Sequence, residues 1–230
     1  MAGDRRSRIL DELAAGDGEG SSRRLCQVGA QVIGVSGAGV MLMAGNIPSG
    51  SLCTTDEVAS VIEDLQYTLG EGPCVDAHRL DRVVLEPDLA NPASPRWLAF
   101  TPRAVEAGAR AVFGFPVGSG GARLGALNLY QDQPGPLSDD QHADALVMAE
   151  VIATWVLDAQ AGAPPGALPQ RLEEGAELYF VVHNAAGAVS VQLDISVTEA
   201  LIRLRAHAFA HDRPLRDVAE DVVARRLRFS

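Results

Sequence analysis

Residues 110–130, RAVFGFPVGSGGARLGALNLY, decide the fold. Apolar runs at 111–117 and 123–130 flank GSGGA, a segment too rich in glycine to continue a strand or start a helix. Strand, glycine turn and strand make a β-hairpin, so the sheet is antiparallel at this point. After it comes LSDDQHADALVMAEVIATWV at 137–156, where Ser138 opens a helix predicted over 139–159.

Upstream, Ser21 and Ser22 cap a helix over 23–33, and GAGVMLMAG at 37–45 is a short apolar run whose length favours a strand. The segment 52–59 reads as its hairpin partner, and 57–69 as a helix through Val61, Ile62 and Leu65. Gly70, Gly72 and Pro73 predict a loop before a strand at 82–85, and a further helix is expected over 97–109. GDGEGSS at 16–22 breaks any helix through Ile9, Leu10 and Leu13, so 1–20 is expected to be a flexible arm. The order of elements predicts an α+β domain over 21–160, an antiparallel sheet flanked by helices. The hairpin, the long helix and LGEGPCVDA at 69–77 resemble the GAF domain family, and the resemblance implies ligand sensing or dimerisation. The helix over 139–159 is either cover for the sheet or a dimer seam.

AGAPPGALPQ at 161–170 is a linker, since three prolines and two glycines neither continue a helix nor pair in a sheet. Beyond it, 171–230 predicts a small all-α domain of three helices. The first runs to Leu193, SVTE at 196–199 is a capping box for the second, and Pro214 starts the third. AAGAVSVQLDISVTEALIRLRAHAF and PLRDVAEDVV within 178–229 resemble the ANTAR domain. The family's Ala-x-Gly falls on Ala185 and Gly187, and Ala186 stands where the family often carries Lys. The resemblance implies binding of RNA hairpins, indirect action on RNA polymerase and transcription antitermination. Asn184, Ala185, Gly187, Arg203, Arg205, His207 and Arg213 are the candidate RNA-contacting residues. Small residues let a ligand approach the backbone, Asn184 offers a donor and an acceptor, and arginines suit phosphates or splayed bases. The plainer reading of Ala185–Gly187 is close helix packing, and of Arg203 and Arg205 a solvated face.

Composition narrows the chemistry. The formal charge is −11, which argues against general affinity for nucleic acid or membrane. All 19 basic residues are Arg, so a phosphate-loop lysine, a Schiff base and a lysine general base are excluded. Residues 171–230 hold eight Arg against nine acids, so RNA binding there needs a placed face and not bulk charge. Cys26, Cys53 and Cys74 are odd in number and lack a C-x-x-C pair, which predicts no disulfide framework, no metal site and a reducing cytoplasm. No cofactor is expected. Cys74, taken as partly exposed in its turn, is the candidate for contacting a small molecule.

The leading expectation is therefore a cytoplasmic, dimeric, non-enzymatic regulator that receives a signal and binds a structured RNA leader. One alternative is a DNA-binding or protein-docking regulator with the same folds. The other is a thiol enzyme of the free methionine sulfoxide reductase type, with Cys53 and Cys74 as its cysteines.

Overall fold

A computed structural model describes residues 2–15, 22–44, 47–161 and 170–230. The chain divides into two compact units, Met1–Glu174 and Gly175–Ser230. Most of the expected linker, 162–169, and residues 16–20 of the expected arm lie outside the described residues.

The first unit runs α1 (Ala2–Ala14), α2 (Ser22–Ile33), β1 (Gly37–Ala44), β2 (Ile47–Thr54), α3 (Glu57–Leu69), α4 (Pro73–Leu80), β3 (Val84–Glu86), α5 (Phe100–Ala107), β4 (Ala111–Ser119), β5 (Ala122–Gln131) and α6 (Asp139–Ala161). The five strands form one antiparallel sheet in the order β2-β1-β5-β4-β3. The hairpin of residues 110–130 supplies β4 and β5, so the segment that decides the fold also occupies its centre. Side chains alternate between the faces of a strand. Ala38, Val40, Phe113, Phe115, Leu127 and Leu129 accordingly enter one apolar core with α2 and α6, built around Ile33, Met148, Ile152 and Val156.

Three expectations are corrected. The first concerns the arm: Ala2–Ala14 is a helix, and Ile9 lies fully buried in the core. Arg24 of α2 donates to the carbonyls of Glu12 and Leu13, closing the C-terminal end of α1 with a cation where the helix dipole favours one. Asp144 of α6, only 8% exposed, accepts from Arg5 and Arg8 at 2.7 Å each. Asp144→Asn removes the charge that both arginines share, so α1 is expected to be cleaved by trypsin at Arg5, Arg6 and Arg8 several times faster than in the native chain. Equal cleavage rates would mean that the pairs to Asp144 do not hold α1 in place.

The second is the segment read as a loop from Gly70 to Pro73, which leads into α4. Pro73 is its first residue, a position where the missing N–H costs nothing, and Asp81 ends it in the left-handed conformation. The third is the cysteine pattern: Cys26 of α2 and Cys53 of β2 form a disulfide, with Cα atoms 6.0 Å apart. Spacing along the chain cannot reveal that α2 lies against the β1–β2 hairpin.

α7 (Gln170–Leu193), which enters the second unit at Gly175, ends at Asp194, a left-handed residue, and α8 (Val197–Ala210) begins at the predicted capping box. Ser196 Oγ accepts from the Glu199 amide, and the Glu199 carboxylate accepts from the Ser196 amide. The axes of 180–193 and 197–210 differ by 105°. Pro214 precedes α9 (Leu215–Val223), and Leu201, Leu204, Leu215, Val218 and Val222 are buried. Among the described residues no single helix is long and apolar enough to cross a membrane.

Candidate functional site

On the face of the sheet away from the apolar core, register lines up Gly39, Asn128, Gly114 and Val84 across β1, β5, β4 and β3. Asn128 is thus the central residue of a row with glycine on both sides. The glycines matter because α3 and α4 come down onto the sheet at these points. A Cβ on Gly39 would lie 2.7 Å from Glu63 Oε1, and one on Gly114 would lie 2.6 Å from the carbonyl carbon of Pro73. Glu63 of α3 therefore fills the hollow over Gly39, and the first turn of α4 rests on Gly114.

The result is a buried polar cluster. Glu63, Gln66 and Asn128 are 1%, 0% and 2% exposed. Gln66 Oε1 accepts from the Cys74 amide at 2.7 Å, tying α3 to the start of α4. Both oxygens of Glu63, Nε2 of Gln66 and Oδ1 of Asn128 meet no hydrogen-bond partner. Buried polar atoms are nearly always paired, so four such atoms in one place mark a feature other than simple packing. Burial pushes the Glu63 carboxyl up to about 8, against a smaller downward pull from the Asn128 amide. Burial likewise pushes the Cys74 thiol well above its ordinary value, with Glu63 adding to the effect.

Cys74 is fully buried, in contrast to the partial exposure expected of it. A buried thiol held neutral is the reverse of what a nucleophile or redox sensor needs. Cys53, the other candidate thiol, is paired with Cys26. Glu63, Gln66 and Asn128 were not among the sequence candidates. A signal exists in hindsight: Glu63 and Gln66 share the buried side of α3 with Ala59 and Ile62, and Asn128 stands among apolar residues in GALNLY.

Other polar contacts brace the same face. Glu71 Oε1 accepts from the amides of Ala99 and Phe100 and so caps the start of α5. Trp97 Nε1 donates to Asp76 at 2.9 Å, and the Arg96 guanidinium lies 4.3 Å from the Trp97 ring centre.

The RNA candidates of the second unit are placed unequally. Asn184 and Arg203 are exposed, Gly187 is half-buried, and a Cβ on Gly187 would meet nothing within 4 Å. Ala185 and Ala186 are fully buried, so they serve the interior and present no surface to a ligand. Arg205 is half-buried and lies roughly 200° around α8 from Arg203, at 100° per residue, so the two arginines cannot work from one side of the helix. His207 stacks on His211 with centroids 4.0 Å apart and meets the edge of Phe229 at 5.2 Å. Burial first, then His211 and Arg213, hold His207 below its ordinary value, which keeps it neutral at pH 7. Arg213 donates to Asp221 at 2.7 Å, as Arg226 does, so its charge clamps the turn before α9. Among the described residues no group of three or more His, Cys, Asp or Glu could hold a metal ion.

Comparison with known proteins bears on the first unit alone. No curated protein matches the chain. The GAF domain of a phosphoenolpyruvate-protein phosphotransferase (ptsP) from Coxiella burnetii is similar with a TM-score of 0.52 and 14% identity, over 70% of this chain and 95% of that one. The corresponding domain from Acinetobacter gives 0.50 and 13%, over 70% and 96%. A type II free methionine-R-sulfoxide reductase from Thermoplasma acidophilum gives 0.47 and 20%, over 68% and 95%. The likenesses to the two phosphotransferase GAF domains establish the fold of the first unit and no activity. The model of the GAF domain matches residues 17–157, more than half of the sequence, and the chain therefore belongs to the GAF domain family.

Proposed function

We propose that this chain is a signal-responsive regulator, acting as a homodimer, whose GAF domain receives the signal and whose C-terminal unit binds a structured RNA leader to prevent transcription termination. The reading of the second unit draws on the resemblance of 178–229 to the ANTAR domain. The observation that carries it is the open backbone at Gly187 beside exposed Asn184, on a helix where the preceding Ala185 and Ala186 are buried. If glycine served packing alone, no space would be left above it. Arg203 is an exposed cation on α8 available to a phosphate or a splayed base.

Two substitutions test this reading. Gly187→Ala fills open space in a helix interior, so it is expected to stabilise the unit by about 0.5–1 kcal/mol. A bound RNA backbone or base would meet the added methyl, so affinity for a two-hairpin RNA is expected to fall about tenfold while stability rises. Arg203→Ala is expected to weaken binding by a similar factor and to lower the salt slope by about one. A more stable Gly187→Ala protein with unchanged RNA affinity would leave close packing as the whole role of that position.

Exposed Phe180 (64%), Val191 (84%) and Ile202 (57%) favour one second reading, in which the same unit docks a protein. Competition between duplex DNA and hairpin RNA for the full chain separates the nucleic-acid cases, and unchanged docking in Arg203→Ala marks a protein partner. The buried, neutral thiol of Cys74 weighs against the thiol-enzyme alternative.

A further inference from the structure

We propose that Glu63 and Asn128 form a proton-operated latch holding α3 and α4 on the sheet. With the carboxyl protonated, its hydroxyl donates to Asn128 Oδ1; loss of that proton leaves Asn128 Oδ1 without a donor and a bare charge buried in the cluster, and releases the two helices. The latch rests on an imbalance of acceptors. Both Glu63 oxygens and Asn128 Oδ1 are buried and meet no donor. One proton on Glu63 converts an acceptor into a donor and satisfies Asn128 with the same bond. No side-chain donor is available from the neighbouring positions of the row, because they are Gly39 and Gly114, and the unpaired Gln66 Nε2 is one donor atom against three unpaired acceptors.

The groups that face Glu63 oppose a charge there. Asp64 acts on it from α3 itself, and Cys74 faces it from α4. β1 and β5 contribute Gly39 and Asn128, neither of which titrates. Among the described residues acting on Glu63, none is basic. Asp64 is exposed, whereas burial pushes Glu63 to about 8, so the Glu63 proton is the later of the two to leave. The folded state thus keeps a proton that the unfolded chain loses near the ordinary value of 4.5. The stability this group contributes is complete below that pH, declines as pH rises, and is gone above about 8.

Gln66 bonds the Cys74 amide, so lifting α3 exposes the one free thiol and makes it a reporter. Thiol ionisation alone accelerates labelling at most about tenfold per pH unit. An opening step coupled to Glu63 adds up to about tenfold more between pH 6.5 and 7.5, because the open state releases the proton. The native chain, with its disulfide intact, is therefore expected to label with a maleimide about a hundredfold faster per pH unit in that window, and Glu63→Gln about tenfold faster. Asp64→Asn should keep the steep dependence. An equal slope in the native and Glu63→Gln proteins would overturn the latch. If Glu63→Gln fails to fold, infrared difference spectra of the native protein decide. A neutral-carboxyl band lost with a midpoint near pH 8 supports the proposal, and loss of every such band below about pH 6 refutes it.

Discussion

Replacing Cys26 with alanine is expected to lower the stability of the 1–174 unit by roughly 3–4 kcal/mol. The disulfide to Cys53 closes a loop of 27 residues, and cross-linking two such positions removes loop entropy from the unfolded chain on that scale. The folded state loses little in compensation. Cys26 is fully buried and Cys53 is 8% exposed, both within the apolar core, so the methyl of alanine remains in a suitable environment. In a domain of this size such a loss corresponds to a fall in Tm of about 7–15 °C. Thermal unfolding under non-reducing conditions measures it, and adding dithiothreitol to the native protein should reproduce most of the shift. Identical melting of oxidised, reduced and Cys26→Ala proteins would show that the two sulfurs are not joined in solution.

Gly114→Ala is expected to cost about 2–3 kcal/mol, although it adds one methyl group to a strand. The added carbon would lie 2.6 Å from the Pro73 carbonyl carbon and 3.1 Å from the Ala77 side chain. Neither neighbour can yield easily. Pro73 is backbone at the start of α4, and Gly114 is fixed by pairing to Val84 on one side and Asn128 on the other. The overlap must therefore be relieved by lifting α4 from the sheet, which also disturbs the Gln66 bond to the Cys74 amide. Urea unfolding should register the loss as a lower midpoint with an unchanged slope. Faster maleimide labelling of Cys74 at constant pH should accompany it. A neutral substitution would contradict the close seat of α4 on β4.

The parts of the fold legible in the sequence are those written in local chemistry. The hairpin of β4 and β5 shows itself through two apolar runs around GSGGA, and the entry to α8 through the Ser196–Glu199 capping box. α4 escaped because Gly70, Gly72 and Pro73 read as a turn, whereas Pro73 is a favourable first residue of a helix. The helix of α1 escaped because its stability comes from tertiary contacts that local propensity does not register: Ile9 in the core, and Asp144 beneath Arg5 and Arg8. The Cys26–Cys53 pair and the row Gly39–Asn128–Gly114 are products of sheet order, which brings β1 beside β5 across more than 80 intervening residues. In the second unit, a helical pattern assigns Ala185 and Gly187 to a shared small-residue feature. Packing separates them, one fully buried and the other beneath open space.

The central claim is that the C-terminal unit recognises folded RNA through a placed face and not through bulk charge. It is tested most directly by titrating the full chain against a two-hairpin RNA, a single-stranded RNA of the same composition and duplex DNA at about 0.15 M salt. The account predicts saturable binding of the hairpin RNA, at least about tenfold tighter than either competitor and weakened by Arg203→Ala. Absence of binding to any hairpin RNA, or equal affinity for all three nucleic acids, would contradict it.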